Sequence, residues 1–358
     1  MQTPNAKLID WLRENNVYAA ELLSEISLLS NLVRPKYDFL YGCASGIQVS
    51  EALNSAVKSG ETAYGLDISK IQTSKKANAV FAQMYELGSS AGEIGKFRWT
   101  RYAAIADALD VFSYSISQGF ISAAYLQIRS VIELSGNIAL LCKDAENLTL
   151  DESSKLKISE WMISVVAASN KRGAGTRLDW LNLAKNGLRK GKSKSYKPND
   201  NFQDKSAVDL MNGIDTVDKA VTGTRHAYDY LSEYAHPNVG VLSTRVKNAE
   251  HINLSNGFEL QYRTYSSTAI GSVLVDGSLP WLIELLEITI DILKYLIVLD
   301  KQLEQIEKKL RVLSKKVVRT GIKTYPELFQ STFPCPCFSG KFVSSCCGRV
   351  VRLGVKSH

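Results

Sequence analysis

Several signatures of familiar chemistry are missing from this chain. No Gly-x-x-x-x-Gly-Lys-Ser/Thr loop occurs, and Gly173-Ala-Gly175 has neither a third glycine nor a preceding strand, so a P-loop or dinucleotide cradle is excluded. Neither a His-Glu-x-x-His pair nor a Ser-His-Asp arrangement is legible around the four histidines. No repeat of solenoid length recurs. The opening residues, MQTPNAKLIDWLRENN, contain no apolar h-region and no cleavage site, so export is not expected. The most apolar run, Trp281 to Leu299, carries Glu284, Glu287, Asp291 and Lys294. Charges at helical intervals are costly in lipid, so no membrane span is expected and a cytoplasmic location follows.

Cysteine is scarce, six in 358 residues, but unevenly placed. Four of the six form Cys335-Pro-Cys337 and Cys346-Cys347, with eight residues between the pairs. Thiolates this close, in a chain without an export signal, suit one tetrahedral Zn²⁺ better than two disulfides. Adjacent cysteines cannot pair with each other without straining the intervening peptide. Gly340 and Gly348 supply backbone freedom for a loop that wraps an ion. Four sulfur ligands leave zinc no open position, which implies a structural rather than a catalytic ion. A segment this short has no core of its own, so metal binding and folding are expected to be one event. Cys43 and Cys142 stand apart in sequence and are expected to take no part.

From about Phe333 to Arg349 the chain resembles the SEC-C motif, a zinc knuckle at the C-terminus of many bacterial proteins. Both cysteine spacings and Ser339-Gly-Lys-Phe342 carry the likeness; Phe338 stands where the family commonly has Gly, and Ser344-Ser345 replace a usually basic pair. The resemblance implies an adaptor that docks on a partner protein or the ribosome.

The remaining sequence reads as mainly helical. Leu22, Leu23, Ile26, Leu29 and Val33 recur at helical spacing, and Arg34-Pro35 closes that element. A helix over 73–87 is followed by Gly88-Ser-Ser-Ala-Gly92, read as a break and a subdomain boundary. Two long helices cover 95–143 with Gly119 at their join, and further helices are expected over 153–170, 177–188 and 206–236. Asn256-Gly257 between alternating segments predicts a two-residue β-hairpin near 252–262, with 239–246 as a third strand. A helix from 280 to about 318 follows, ended by Gly321 and Pro326. Within it Ile292, Leu296, Leu299, Leu303, Ile306, Leu310, Leu313 and Val317 alternate steps of four and three, the coiled-coil seam. With densely charged flanks of both signs from Lys301 to Lys316, such a seam is expected to join a homo-oligomer, the alternative being a stripe packed on the chain's own bundle. The expected organisation is an N-terminal helical region over 1–92, a helical bundle over 93–320 and the knuckle over 330–350.

Net charge is +7. Six Lys/Arg and no acid fall between Lys185 and Lys197, either a solvated loop or a phosphate-contacting one. Two helical stretches place polar groups on faces that the pattern would bury. Tyr125, Arg129 and Glu133 form one stripe; Ser232 and His236 share a face beyond Tyr228 and Leu231. The structural reading pairs Arg129 with Glu133 and places His236 at a helix C-terminus, where its protonated form suits the dipole. The functional reading makes Arg129, Glu133, Ser232 and His236 a groove.

Arg129-Ser-Val-Ile-Glu133, the later Tyr228-x-x-Leu-Ser232-x-x-x-His236-Pro237, a hairpin and a long last helix together resemble HEPN-like bacterial proteins over about 97–301. That resemblance implies a helical bundle of regulatory or phage-defence type, commonly paired, and in its active members a metal-independent endoribonuclease. The Arg-x4–6-His motif of those members is not met at His236, whose nearest upstream arginine is Arg225; Arg245 to His251 has the spacing. Were RNA cleaved, His236 or His251 would be the acid/base and Arg129 or Arg245 would hold the phosphate.

Overall fold

The computed structural model describes residues 10, 12–14, 16–36, 75–146, 210–235, 246–253, 257, 259–265, 279–326, 335–337 and 341–352. Among them the protein is mainly helical, with one two-stranded antiparallel sheet. Helices α1 (Val17–Val33), α2 (Lys75–Ser117), α3 (Ile121–Glu146), α4 (Leu210–Asp218) and α5 (Thr224–Ala235) precede strands β1 (Val246–Asn253) and β2 (Glu259–Tyr265). After them come α6 (Leu279–Thr324), a 3₁₀ turn at Val343–Ser345 and α7 (Cys347–Arg352). None of the described helices is long and apolar enough to cross a membrane.

The chain divides into two compact units, whose boundaries at 98/99, 142/143 and 301/302 fall inside helices α2, α3 and α6. The first unit gathers α1, the later part of α2, most of α3, α4, α5, the hairpin and the first half of α6. Apolar positions at helical spacing meet inside it: Leu22 and Ile26 of α1, Ile105 and Leu109 of α2, Ile128 and Ile132 of α3, and Leu286 and Leu293 of α6 are all buried. Polar groups fix the directions in which those faces meet. Tyr102 Oη donates 2.6 Å to the Leu296 carbonyl, Tyr18 Oη donates 2.5 Å to Glu287, and Lys294 pairs with Glu25 at 2.9 Å. The Asn16 side chain caps α1 by accepting from Ala19 N, and Arg34 after its last turn reaches Asp107 and Asp110 of α2.

Local expectations meet three corrections. The Gly88–Gly92 stretch does not break the chain: α2 runs through it for 43 residues. Two glycines cost about 1 kcal/mol each in a helix, less than burial of Ala91 and Ile94 recovers. The helix expected over 206–236 is instead α4 and α5, separated at 219–223. Gly223 adopts φ 95°, and Asp218 Oδ1 accepts from both Gly223 N and Arg225 N at 3.0 Å, capping the new helix. In the hairpin the last described pair is Asn253 with Glu259, and most of the expected turn, Asn256 included, lies outside the described residues. Gly257 still takes the left-handed φ of 82°. Finally, α6 does not stop at Gly321; it runs 46 residues, about 69 Å at 1.5 Å per residue, and ends just before Pro326.

The four-three seam of α6 is largely buried within one copy of the chain: Ile292, Leu296, Leu299, Leu303, Leu310 and Val317 lie at 7 % exposure or less, with Ile306 and Leu313 half-buried. A second copy is not needed to cover it. The helices expected over 153–170 and 177–188, the basic stretch 185–197, and most of the expected third strand lie outside the described residues.

Candidate metal centre

The second unit includes residues 302–358, and with them the cysteine cluster. Its framework is local. Cys335 N donates 2.7 Å to the Lys341 carbonyl, folding the second half of the segment back on the first. Ser345 N and Cys346 N then donate to Phe342 and Val343, forming the 3₁₀ turn that delivers Cys346 and Cys347. Gly348 is required here for space and not for its φ. A Cβ at this position would sit 2.7 Å from the Val343 carbonyl oxygen and 2.8 Å from Val343 Cγ1. Gly340 lies outside the described residues.

These hydrogen bonds bring the sulfurs of Cys335, Cys337, Cys346 and Cys347 within 4.8 Å of one another. Cys335, Cys337 and Cys347 are buried and Cys346 is half-buried. None of the four is in a disulfide. The Cys337–Cys346 and Cys346–Cys347 sulfur separations are 3.5 Å and 3.9 Å. A disulfide needs about 2.0 Å. A tetrahedral ion with metal–sulfur bonds of about 2.3 Å sets its ligands about 3.8 Å apart. The donor set therefore fits a metal ion.

Electrostatics favour the same conclusion. Neighbouring thiols, with burial, push Cys335 up to about 12 and raise Cys347 as well. Four thiolates cannot share this volume uncompensated, whereas a divalent cation at the centre offsets the repulsion. Cys142 is elsewhere, buried on α3 with its sulfur 3.8 Å from the Leu299 carbonyl; Cys43 lies outside the described residues.

No family model matches this chain, and no curated protein or solved structure matches it.

The first unit holds the other polar residues singled out by sequence. Arg129 and Glu133 pair on α3 at 3.3 Å, and Tyr228 of α5 bonds to both, while Arg129 Nε is buried without a partner among the described residues. Arg129 Nη2 donates to Tyr228 Oη at 3.1 Å, and Tyr228 Oη donates to Glu133 Oε1 at 3.2 Å. The guanidinium also lies 5.2 Å from the centre of the Tyr228 ring. Ser232 Oγ donates 2.8 Å to the Tyr228 carbonyl of its own helix. Tyr125 belongs to an aromatic cluster, its ring 4.9 Å from Tyr234 and 6.0 Å from Tyr230. Burial raises its hydroxyl beyond the usual tyrosine range. The stripe expected as one groove is thus divided between a polar tie joining α3 to α5 and an apolar contact. His236 and Arg245 lie outside the described residues; His251 is on β1, its Cα opposite Gln261.

Sequence reasoning passed over one group of residues. Arg311, Lys315 and Arg319 of α6 and Lys341 of the cysteine segment line a cavity of about 460 Å³ that Cys337 and Cys346 also border. The four-residue spacing of the three α6 cations was a legible signal that they share a face.

Proposed function

We propose that Cys335, Cys337, Cys346 and Cys347 hold one structural Zn²⁺, and that the segment is a SEC-C-type knuckle docking this cytoplasmic protein on a partner, a protein or an RNA-containing assembly such as the ribosome. One observation carries the reading: four mostly buried cysteine sulfurs, none in a disulfide, within 4.8 Å of one another. Sulfur ligands favour zinc over the hard cations, and a complete sulfur shell leaves no position for water or substrate. The zinc would supply cross-linking, and the chain's own groups do the rest. The hydrogen bond from Cys335 N to Lys341 orients the first pair, and close packing of Gly348 on Val343 seats the second. The helical body, which we read as HEPN-like, serves as the regulatory or defence-related platform that carries the knuckle.

The rival reading, metal-independent RNA cleavage, gains no support from Arg129, Glu133 or Ser232, whose hydrogen bonds run to one another's helices and to Tyr228. The deciding experiment is elemental analysis with a pull-down. About one zinc per chain is expected, lost together with partner capture in Cys337→Ser. A full-length protein without zinc, or Cys337→Ser retaining both properties, would overturn the proposal.

A further inference from the structure

The cavity beside the cysteine cluster has chemistry of its own. Three cations of α6, Arg311, Lys315 and Arg319, recur every four residues and so form one stripe about 12 Å long. Lys341 borders the same cavity from the cysteine segment, and no carboxylate among the described residues lines it. Arg311 is oriented by Glu307, which accepts from its Nε at 2.9 Å and Nη2 at 2.7 Å, leaving further guanidinium donors free to turn elsewhere. Lys315, Arg319 and Lys341 have no ion pair among the described residues, and Arg319 Nε is buried without a hydrogen-bond partner. The residue after Lys341 is Phe342, which is 57 % exposed although the adjoining Val343 is buried.

We infer that this cavity is a binding site for the phosphate backbone of single-stranded RNA, with Phe342 as a stacking platform for a base. The inference deepens the docking role proposed above by assigning it a surface and a ligand class. Arginine forks and lysine ammonium groups are the usual partners of phosphate oxygens. A line of successive cations suits a polymer that carries one charge per residue. A charged groove next to an exposed aromatic ring is how proteins hold single strands without reading sequence. Neutralisation of the cysteines alone would not need this arrangement. Four thiolates around a divalent ion would keep two negative charges within a cluster whose sulfurs lie within 4.8 Å of one another, while the cations extend along about 12 Å of helix.

The test is fluorescence anisotropy of a labelled 20-nucleotide oligouridine with the metal-loaded full-length protein across a salt series. Binding is expected to weaken steeply with salt. Lys315→Ala, at an exposed position, should weaken it several-fold and lower the salt slope by about 1. Adding Arg319→Ala should lower it again. Phe342→Ala should cost about tenfold with the salt slope unchanged, because stacking releases no counterions. Zinc content and helical circular dichroism should match the wild type in all three.

Wild-type protein that keeps its zinc but does not bind the RNA, or Lys315→Ala and Phe342→Ala with unaltered affinity, would overturn the inference. Saturable binding of inorganic phosphate without RNA binding would overturn it in favour of a free-anion site. A protein without zinc whose RNA binding still depends on Lys315 and Phe342 would sink the metal reading while this one stands.

Discussion

Gly136 of α3 and Gly213 of α4 meet backbone to backbone. A Cβ on Gly136 would lie 2.9 Å from the Gly213 carbonyl carbon, and one on Gly213 would lie 2.8 Å from the Gly136 carbonyl oxygen. Neither obstacle is a side chain that can turn aside, so the approach of these two helices depends on both residues having no side chain.

The usual effect of Gly→Ala in a helix is therefore reversed here. Helix propensity alone would stabilise by about 1 kcal/mol. Forced separation of packed backbones should instead cost roughly 1–3 kcal/mol. Gly136→Ala and Gly213→Ala are each expected to lower the denaturation midpoint, and the double variant should lose less than the sum, because the first substitution already parts the helices.

Gly348→Ala should disturb the cysteine cluster selectively. Its Cβ would meet backbone and side chain of Val343, whose turn delivers Cys346 and Cys347. Chelator competition should show metal affinity lowered by at least tenfold, with helical circular dichroism unchanged. Wild-type affinity in this variant would mean that the turn yields without moving the sulfurs.

Metal retention should depend on pH in a definite direction. Each thiol must lose its proton to ligate, so falling pH opposes binding. Crowding raises Cys335 from its ordinary 9.0 to about 12 and raises Cys347 too, so the dependence should continue above pH 9 instead of levelling there. Chelator competition between pH 6 and 9 should give an apparent affinity rising more than about tenfold per pH unit, consistent with release of more than one proton.

Tyr228→Phe removes the hydroxyl that accepts from Arg129 and donates to Glu133. The ring and its contact with the guanidinium remain. A loss of about 1 kcal/mol is expected in chemical denaturation. Growth on induced expression should be as benign as with the wild type, since the hydroxyl is assigned a structural role.

Leu303, fully buried on α6, separates an internal seam from an intermolecular one. Leu303→Ala is expected to cost about 2–5 kcal/mol in stability while leaving the mass by light scattering unchanged. A drop in mass at unchanged thermal stability would show that a second copy covers the seam.

Much of this protein is determined by neighbours in sequence. The helices α1, α3 and α6, the turn at Gly119 and the existence of the hairpin all follow from periodicity and turn residues, which act over a few positions. The clustering of the four cysteines, which could hold a metal ion, was equally legible, because a site made from one short segment has its geometry written in its spacing. Other features were decided only by contacts between distant residues. Burial of Ala91 and Ile94 carries α2 through Gly88–Gly92 against local propensity. Tyr228 joins Arg129 and Glu133 across about a hundred positions, so the stripe on α3 could not reveal its partner. The seam of α6 carried no mark of which surface would cover it, since apolar spacing records that a face is buried and not what buries it. Gly348 was recognised as glycine for the wrong reason: sequence suggests conformational freedom, whereas the folded turn demands room for the Val343 carbonyl. Spacing encodes what the backbone does locally, and only the closed structure decides which atoms then compete for the same space.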